Sequence, residues 1–156
     1  MQFIKAAAAF KNGDKTTALA AYKNGSTGSI DHLKQYYTGY IPMSDADIAA
    51  FMANTKVVPT LTSELTLSQI MLQKYLALWP WNGEETWVDL RKYQYSTSVY
   101  TGWIFPTAFF SDNGGLPVQR ARPRYNSEYL WNVDELRKIG GLDPNYHTKP
   151  VWFSLP

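Results

Sequence analysis

The stretch from Gln73 to Tyr93 constrains the fold more than any other part of the sequence. It begins inside a predicted helix that starts after Thr66, where Thr66 and Gln69 have the spacing of a capping box. Apolar residues surround most of this helix, which is typical of a helix buried in a core. Pro80 and Gly83 then interrupt it, because proline lacks a backbone donor and glycine tolerates a tight turn. The sequence therefore predicts two helices joined by a short turn.

The second helix carries two carboxylates four residues apart, Glu85 and Asp89, with Trp87 between them and Arg91 after them. One interpretation is an acid–base pair, since a glycosidase needs two carboxyl groups about 5 Å apart or wider. The other is a partly buried structural network with arginines, because buried charges require partners. An enzyme places its carboxyls on opposite walls of a cleft, whereas neighbours on one helix face point the same way. We therefore expect a structural role and no enzymatic activity.

The first 40 residues are rich in alanine and are predicted to be helical. Breaks at Asn12-Gly13 and at Asn24-Gly25 divide this region into three helices. Asp14 is expected to cap the second helix, and the third is expected to run from Ser29 to Tyr37.

Ala18 and Ala21 are small enough to let two helices approach closely. The spacing Ala18-x-x-x-Tyr22 also fits part of a tetratricopeptide pattern. The predicted fold class is therefore mostly α, with tetratricopeptide-like helices packed with an irregular, loop-rich C-terminal region.

Capping signals mark two further helices. Ser44 and Asp47 have capping-box spacing before a short helix. Asn132 and Glu135 form a capping pair before the last helix, which Gly140 is expected to end.

Residues 94–127 hold many turn signals and are predicted to form loops with at most short strands. Their aromatic residues either stack against a ligand or fill an irregular core. Tyr100 and Trp103, on either side of Gly102, are the best candidates for exposed rings that bind a sugar. Asp112 and Asn113 could add hydrogen bonds to hydroxyl groups. The aromatic residues of the region and its edge are Tyr93, Tyr95, Tyr100, Trp103, Phe105, Phe109 and Phe110.

The composition favours neither nucleic-acid binding nor a metal site. The net charge is +2 and no block of Lys or Arg occurs. The chain has no cysteine, so thiolate metal sites and a cysteine nucleophile are excluded. His32 and His147 stand singly, without the spacing of metal ligands. We expect no metal and no cofactor.

Three ordered segments between residues 69 and 153 resemble the C-terminal signature of the SusD/RagB family, the nutrient-binding lipoproteins of the Bacteroidetes outer membrane. Asn126 departs from this pattern, because the family commonly has proline there, and Pro80-Trp81 departs from the usual glycine-rich turn. The segments are Gln73-Lys74-Tyr75-x-Ala77-Leu78-Trp79 with Glu85-x-Trp87-x-Asp89-x-Arg91, then Arg122-Pro123-Arg124-Tyr125-Asn126-Ser127-Glu128-x-x-x-Asn132, and finally Thr148-Lys149-x-x-Trp152.

The resemblance implies a non-catalytic binding subunit at the cell surface. It would capture oligosaccharides and pass them to a SusC-like TonB-dependent outer-membrane transporter, which it covers as a lid. The structural positions implied by the motifs are Glu85, Trp87, Asp89, Arg91, Arg124, Tyr125, Glu128 and Asn132.

The resemblance also implies that residues 1–156 form a single domain from the C-terminal part of a longer, lipid-anchored protein. Residues 1–65 would be its helical part and residues 66–156 its signature region. Three alternatives remain open: a peptide-binding member of the same family, a helical-repeat module that binds proteins, and a glycosidase that uses Glu85 and Asp89.

Overall fold

The computed structural model describes residues 1–36 and 43–155, and it is built from helices. About 59% of the described residues are helical, and no strand occurs among them. The mostly α fold class is therefore confirmed, whereas the tetratricopeptide-like arrangement stays a prediction. The α-helices are α1 (Gln2–Lys11), α2 (Lys15–Tyr36), α3 (Asp45–Ala53), α4 (Leu67–Leu78), α5 (Gly83–Lys92), α6 (Tyr125–Trp131) and α7 (Val133–Lys138).

The chain divides into two compact units. Unit 1 consists of Met1–Trp87 and Ser96–Thr101, and unit 2 consists of Val88–Tyr95 and Gly102–Pro156. The first boundary falls inside helix α5. The expected single domain, with a helical part over residues 1–65 and a signature region over residues 66–156, stays a prediction.

The core of unit 1 forms where α1 packs on α2 and α4. Ala18 and Ala21 of α2 are buried there, in agreement with the expected close approach of two helices. Burial of such apolar side chains is the main favourable term in folding. The buried members of this core are Phe3, Ala6, Ala18, Leu19, Ala21, Tyr22, Val58, Leu65 and Ile70.

The predicted break at Asn24-Gly25 is wrong, because α2 continues through it to Tyr36. Gly25 is buried, and a Cβ atom placed on it would lie 3.0 Å from the ring of Phe3. The glycine therefore serves helix packing rather than helix termination. The expected third helix from Ser29 is the second half of α2, and its predicted end at Tyr37 lies outside the described residues, as do residues 38–40 of the predicted helical region.

Two predicted capping boxes are confirmed. Thr66 Oγ1 accepts from the Gln69 amide at 3.1 Å, and Gln69 Oε1 accepts from the Thr66 amide at 2.9 Å. Ser44 and Asp47 make the equivalent pair of bonds before α3. Asp14 also caps α2, since its carboxylate accepts from the Thr17 amide at 3.0 Å.

Helix α4 is less buried than its apolar sequence predicts. Ile70 and Met71 are buried on one side of the helix, whereas Leu76 is exposed. The helix therefore contributes to the core of unit 1, as predicted, but with only part of its circumference.

Unit 2 is irregular over most of its length, as predicted, with α6 and α7 as its later helices. Its loops are fixed by side chains that bond to backbone carbonyls, as buried polar groups require. Arg91 Nη1 donates to Gln119 O at 2.8 Å, and Tyr95 donates its hydroxyl proton to Val118 O at 2.7 Å. The expected cap of α7 is wrong, because the Asn132 side chain donates to Glu128 at 2.7 Å instead.

Candidate functional site

Unit 2 contains a pocket of about 420 Å³, which we call the Tyr125 pocket. This volume lies in the range of small-molecule sites, roughly 300–1,000 Å³. The residues that line it are Asp112, Arg122, Pro123, Tyr125, Tyr129 and Pro144.

Two stacked tyrosines form one wall of the Tyr125 pocket. Tyr125 and Tyr129 lie one turn apart on α6, where residues four apart are neighbours. Their ring centroids are 5.1 Å apart and their planes differ by 24°. Tyr129 is anchored, since its hydroxyl donates to Gly141 O at 2.9 Å. Tyr125 is 76% exposed, so the second ring supports it while one of its faces remains open.

Arg122 occupies a fixed position in the same pocket. Its Nη2 atom donates to the carbonyl of Asp143 at 3.1 Å and also to that of Pro144. Its Nη1 atom lies 3.4 Å from the Tyr129 hydroxyl. These bonds hold a permanently charged donor beside the tyrosine pair.

Asp112 is the one predicted ligand residue that lines the Tyr125 pocket. Its exposed carboxylate supplies hydrogen-bond acceptors. Asn113, its predicted companion, is not among the lining residues; its Oδ1 atom lies 2.8 Å from His147 Nε2.

The two predicted sugar-stacking rings lie elsewhere. Tyr100 is only 1% exposed and belongs to unit 1, so the expectation of an exposed ring is wrong. A large aromatic ring contributes more to stability when it is buried, which accounts for its place in the core. Trp103, in unit 2, is half-buried and lies against Phe105, with 5.8 Å between ring centroids. Phe105 in turn makes an edge contact with Tyr95 at 5.7 Å, so these rings pack on one another.

The motif residues of α5 have unequal environments. Asp89 and Arg91 are buried and Trp87 is half-buried, whereas Glu85 is exposed. The expectation of a partly buried network is therefore wrong for Glu85. Arg91 also lies over the ring of Phe153 at 4.9 Å, and burial lowers the pKa of its guanidinium.

The second group of motif residues surrounds helix α6. Arg124 is exposed immediately before the helix, and Glu128 accepts the bond from Asn132. Tyr125, which the resemblance implies to be structural, also lines the pocket. The sequence predicts loops over residues 94–127, whereas α6 begins at Tyr125, so the ring pair does not follow from that prediction. The four-residue spacing of Tyr125 and Tyr129 after Pro123 was the signal that could have identified the ring pair.

Within residues 1–36 and 43–155, no group of three or more His, Asp or Glu residues is placed to hold a metal ion. No helix in these ranges is long and apolar enough to cross a membrane. Comparisons with protein-family models, curated proteins and solved structures find no match to this chain.

Proposed function

We propose that this chain is a non-catalytic module that binds oligosaccharides, and that the Tyr125 pocket is its contact with the sugar. The observation that carries the proposal is the open face of Tyr125, supported by Tyr129 and placed beside Arg122 and Asp112. All of these groups belong to one pocket of unit 2.

The chemistry of the Tyr125 pocket suits a pyranose ring. The apolar face of a sugar can stack on an aromatic ring that is held still. A few fixed polar groups then set the orientation of the ligand. Arg122 supplies donors to the hydroxyl oxygens, and Asp112 supplies acceptors to the hydroxyl protons.

The absence of catalysis is part of the proposal. A glycosidase of the usual kind needs two carboxyl groups across the scissile bond. Among the described residues that line the Tyr125 pocket, Asp112 is the one carboxylate. Glu85 and Asp89, the alternative pair, belong to helix α5 and do not line this pocket.

The resemblance of the three motifs to the SusD/RagB family supports the same function. Under this proposal the chain acts at the cell surface of a bacterium, as part of a lipid-anchored protein. It then delivers its oligosaccharide to a SusC-like TonB-dependent transporter. Four of the six residues that line the Tyr125 pocket, Arg122, Pro123, Tyr125 and Tyr129, belong to the second motif segment, whereas Asp112 and Pro144 lie outside it.

The proposal is tested by calorimetric titration of the chain with a panel of oligosaccharides. Tyr125→Ala should weaken binding by at least tenfold, about 1.4 kcal/mol, because the stacking face is lost. An exposed ring contributes little to folding, so the free energy of unfolding should change by less than about 0.5 kcal/mol.

Trp131→Ala is the matched control. Trp131 is 87% exposed on the same helix, and it does not line the Tyr125 pocket. The Trp131→Ala protein should bind each sugar with the affinity of the wild type. Equal affinity of all three proteins for every sugar that binds would contradict the proposal.

A further inference from the structure

A second cavity, of about 430 Å³, lies in unit 1 among helices α1, α2, α4 and the first turn of α5. Apolar side chains such as Ile4 and Leu78 contribute to its lining. Ser29, His32 and Glu85 add polar groups. The cavity therefore combines the apolar surface and the few polar groups that are typical of a small-molecule site.

His32 connects this cavity to a cluster of three rings, which we call the Trp81 cluster. The His32 centroid lies 4.7 Å from that of Tyr36 and 4.9 Å from that of Trp81. Tyr36 and Trp81 complete the triangle with an edge contact at 5.2 Å. Each ring is thus held in place by the other two, although Tyr36 is 60% exposed and Trp81 is 45% exposed. Rings of this kind give large contact area at low cost in conformational entropy.

Gly28 leaves room for a ligand at the edge of the cavity. It lies in the interior of α2, where glycine is less favourable than alanine. Gly25, three residues earlier, is explained by the Phe3 ring beside it, but a Cβ atom on Gly28 would meet nothing within 4 Å. Gly28 is exposed and belongs to the cavity lining, so the space beside its backbone is open. A close approach of a ligand to the backbone is one of the uses of glycine.

We propose that unit 1 carries a second carbohydrate site, formed by the cavity over Gly28 and the Trp81 cluster. A pyranose ring stacks on the exposed face of this cluster and extends over the backbone of Gly28. The side chains of Ser29, His32 and Glu85 bond to its hydroxyl groups. This inference rests on the proposed function for the class of ligand, but it concerns different residues in a different unit.

The test is a nuclear magnetic resonance titration of the ¹⁵N-labelled full chain with maltose, cellobiose and xylobiose. The indole N–H of Trp81 and the amide of Gly28 report on unit 1, and the amide of Tyr125 reports on unit 2. We expect both sets of signals of the wild type to shift and to saturate with at least one disaccharide.

Gly28→Leu adds a bulky side chain at the cavity lining, where no atom lies within 4 Å of the Cβ position. It should weaken the affinity measured from the Trp81 signal by more than tenfold and leave the affinity measured from the Tyr125 signal unchanged. Trp81→Ala, a second variant that removes a ring instead, should abolish the shift at Gly28. Trp79→Ala is the matched control, since Trp79 is exposed on the same turn but lies outside the cavity lining and the Trp81 cluster.

A wild-type Trp81 signal that no disaccharide shifts would overturn the inference, and so would wild-type affinity at this site in Gly28→Leu. If Tyr125 shifts in either case, the proposed function stands without the second site. A response at Trp81 without one at Tyr125 would support the second site and overturn the Tyr125 pocket.

Discussion

Tyr22 shows how one buried side chain joins two segments of unit 1. Its ring is fully buried, and its hydroxyl donates to Val57 O at 2.6 Å. The ring also makes an edge contact with Phe3 at 6.2 Å. Burial raises the pKa of Tyr22 from its ordinary value of 10.0 to about 12, because the phenolate would lose its hydration.

This pKa shift predicts a pH dependence of stability. Below pH 10 the folded and unfolded chains both keep the Tyr22 proton, so its contribution is complete. Between pH 10 and about 12 the unfolded chain loses the proton first, and the free energy of unfolding falls. At pH 7, Tyr22→Phe should lower the free energy of unfolding by about 1 kcal/mol, because the hydrogen bond to Val57 O is lost. That difference from the wild type should shrink above pH 10.

Urea unfolding of both proteins from pH 7 to pH 11.5 measures the difference directly. The other tyrosines titrate in both proteins, so their effects cancel in the comparison. A difference that stays constant to pH 11.5 would show that the pKa of Tyr22 is not raised.

The contact between Gly25 and Phe3 predicts a coupling between two substitutions. Alanine is favoured over glycine inside a helix by about 1 kcal/mol. At Gly25 the new methyl group would lie 3.0 Å from the Phe3 ring. Gly25→Ala should therefore raise the free energy of unfolding of the wild type by less than this amount. In a Phe3→Leu background the same change should gain more. Gly28→Ala is the control, because no atom lies near its Cβ position, and its gain should be the same in both backgrounds.

At the scale of elements, the start of α4 depends on a purely local device. Thr66 and Gln69 satisfy each other's backbone donors across the first turn. Thr66→Ala should lower the free energy of unfolding by about 1 kcal/mol. Thr66→Ser keeps a hydroxyl group that can cap the helix, so it should retain most of this stabilisation. Thermal unfolding of the three proteins measures this, and equal stability of Ala and Ser at position 66 would rule out a role for the cap.

The elements that the sequence predicts well are those with local signals. The capping boxes before α3 and α4 require only residues three apart, so they can be recognised in the chain itself. The continuity of α2 could not be recognised in this way, because Gly25 is placed by a contact with Phe3, 22 positions earlier in the sequence. Asn132 failed as a cap for a related reason, since its side chain bonds to Glu128 on the preceding helix.

At the scale of the whole molecule, the candidate site was only partly predictable. The sequence indicated that aromatic residues and Asp112 in the loops would contact a ligand, and Asp112 does line the Tyr125 pocket. Composition does not say which rings are buried, because burial depends on contacts between distant segments. Tyr100 and Trp103 are three residues apart, yet one is buried in unit 1 and the other packs against rings of unit 2.

A crystal structure of the chain with the oligosaccharide that binds it best would show directly whether the Tyr125 pocket holds the sugar. We expect a pyranose ring on the open face of Tyr125, with hydroxyl groups within hydrogen-bonding distance of Arg122 and Asp112. A sugar bound only outside the Tyr125 pocket, with the Tyr125 ring uncovered, would contradict this expectation.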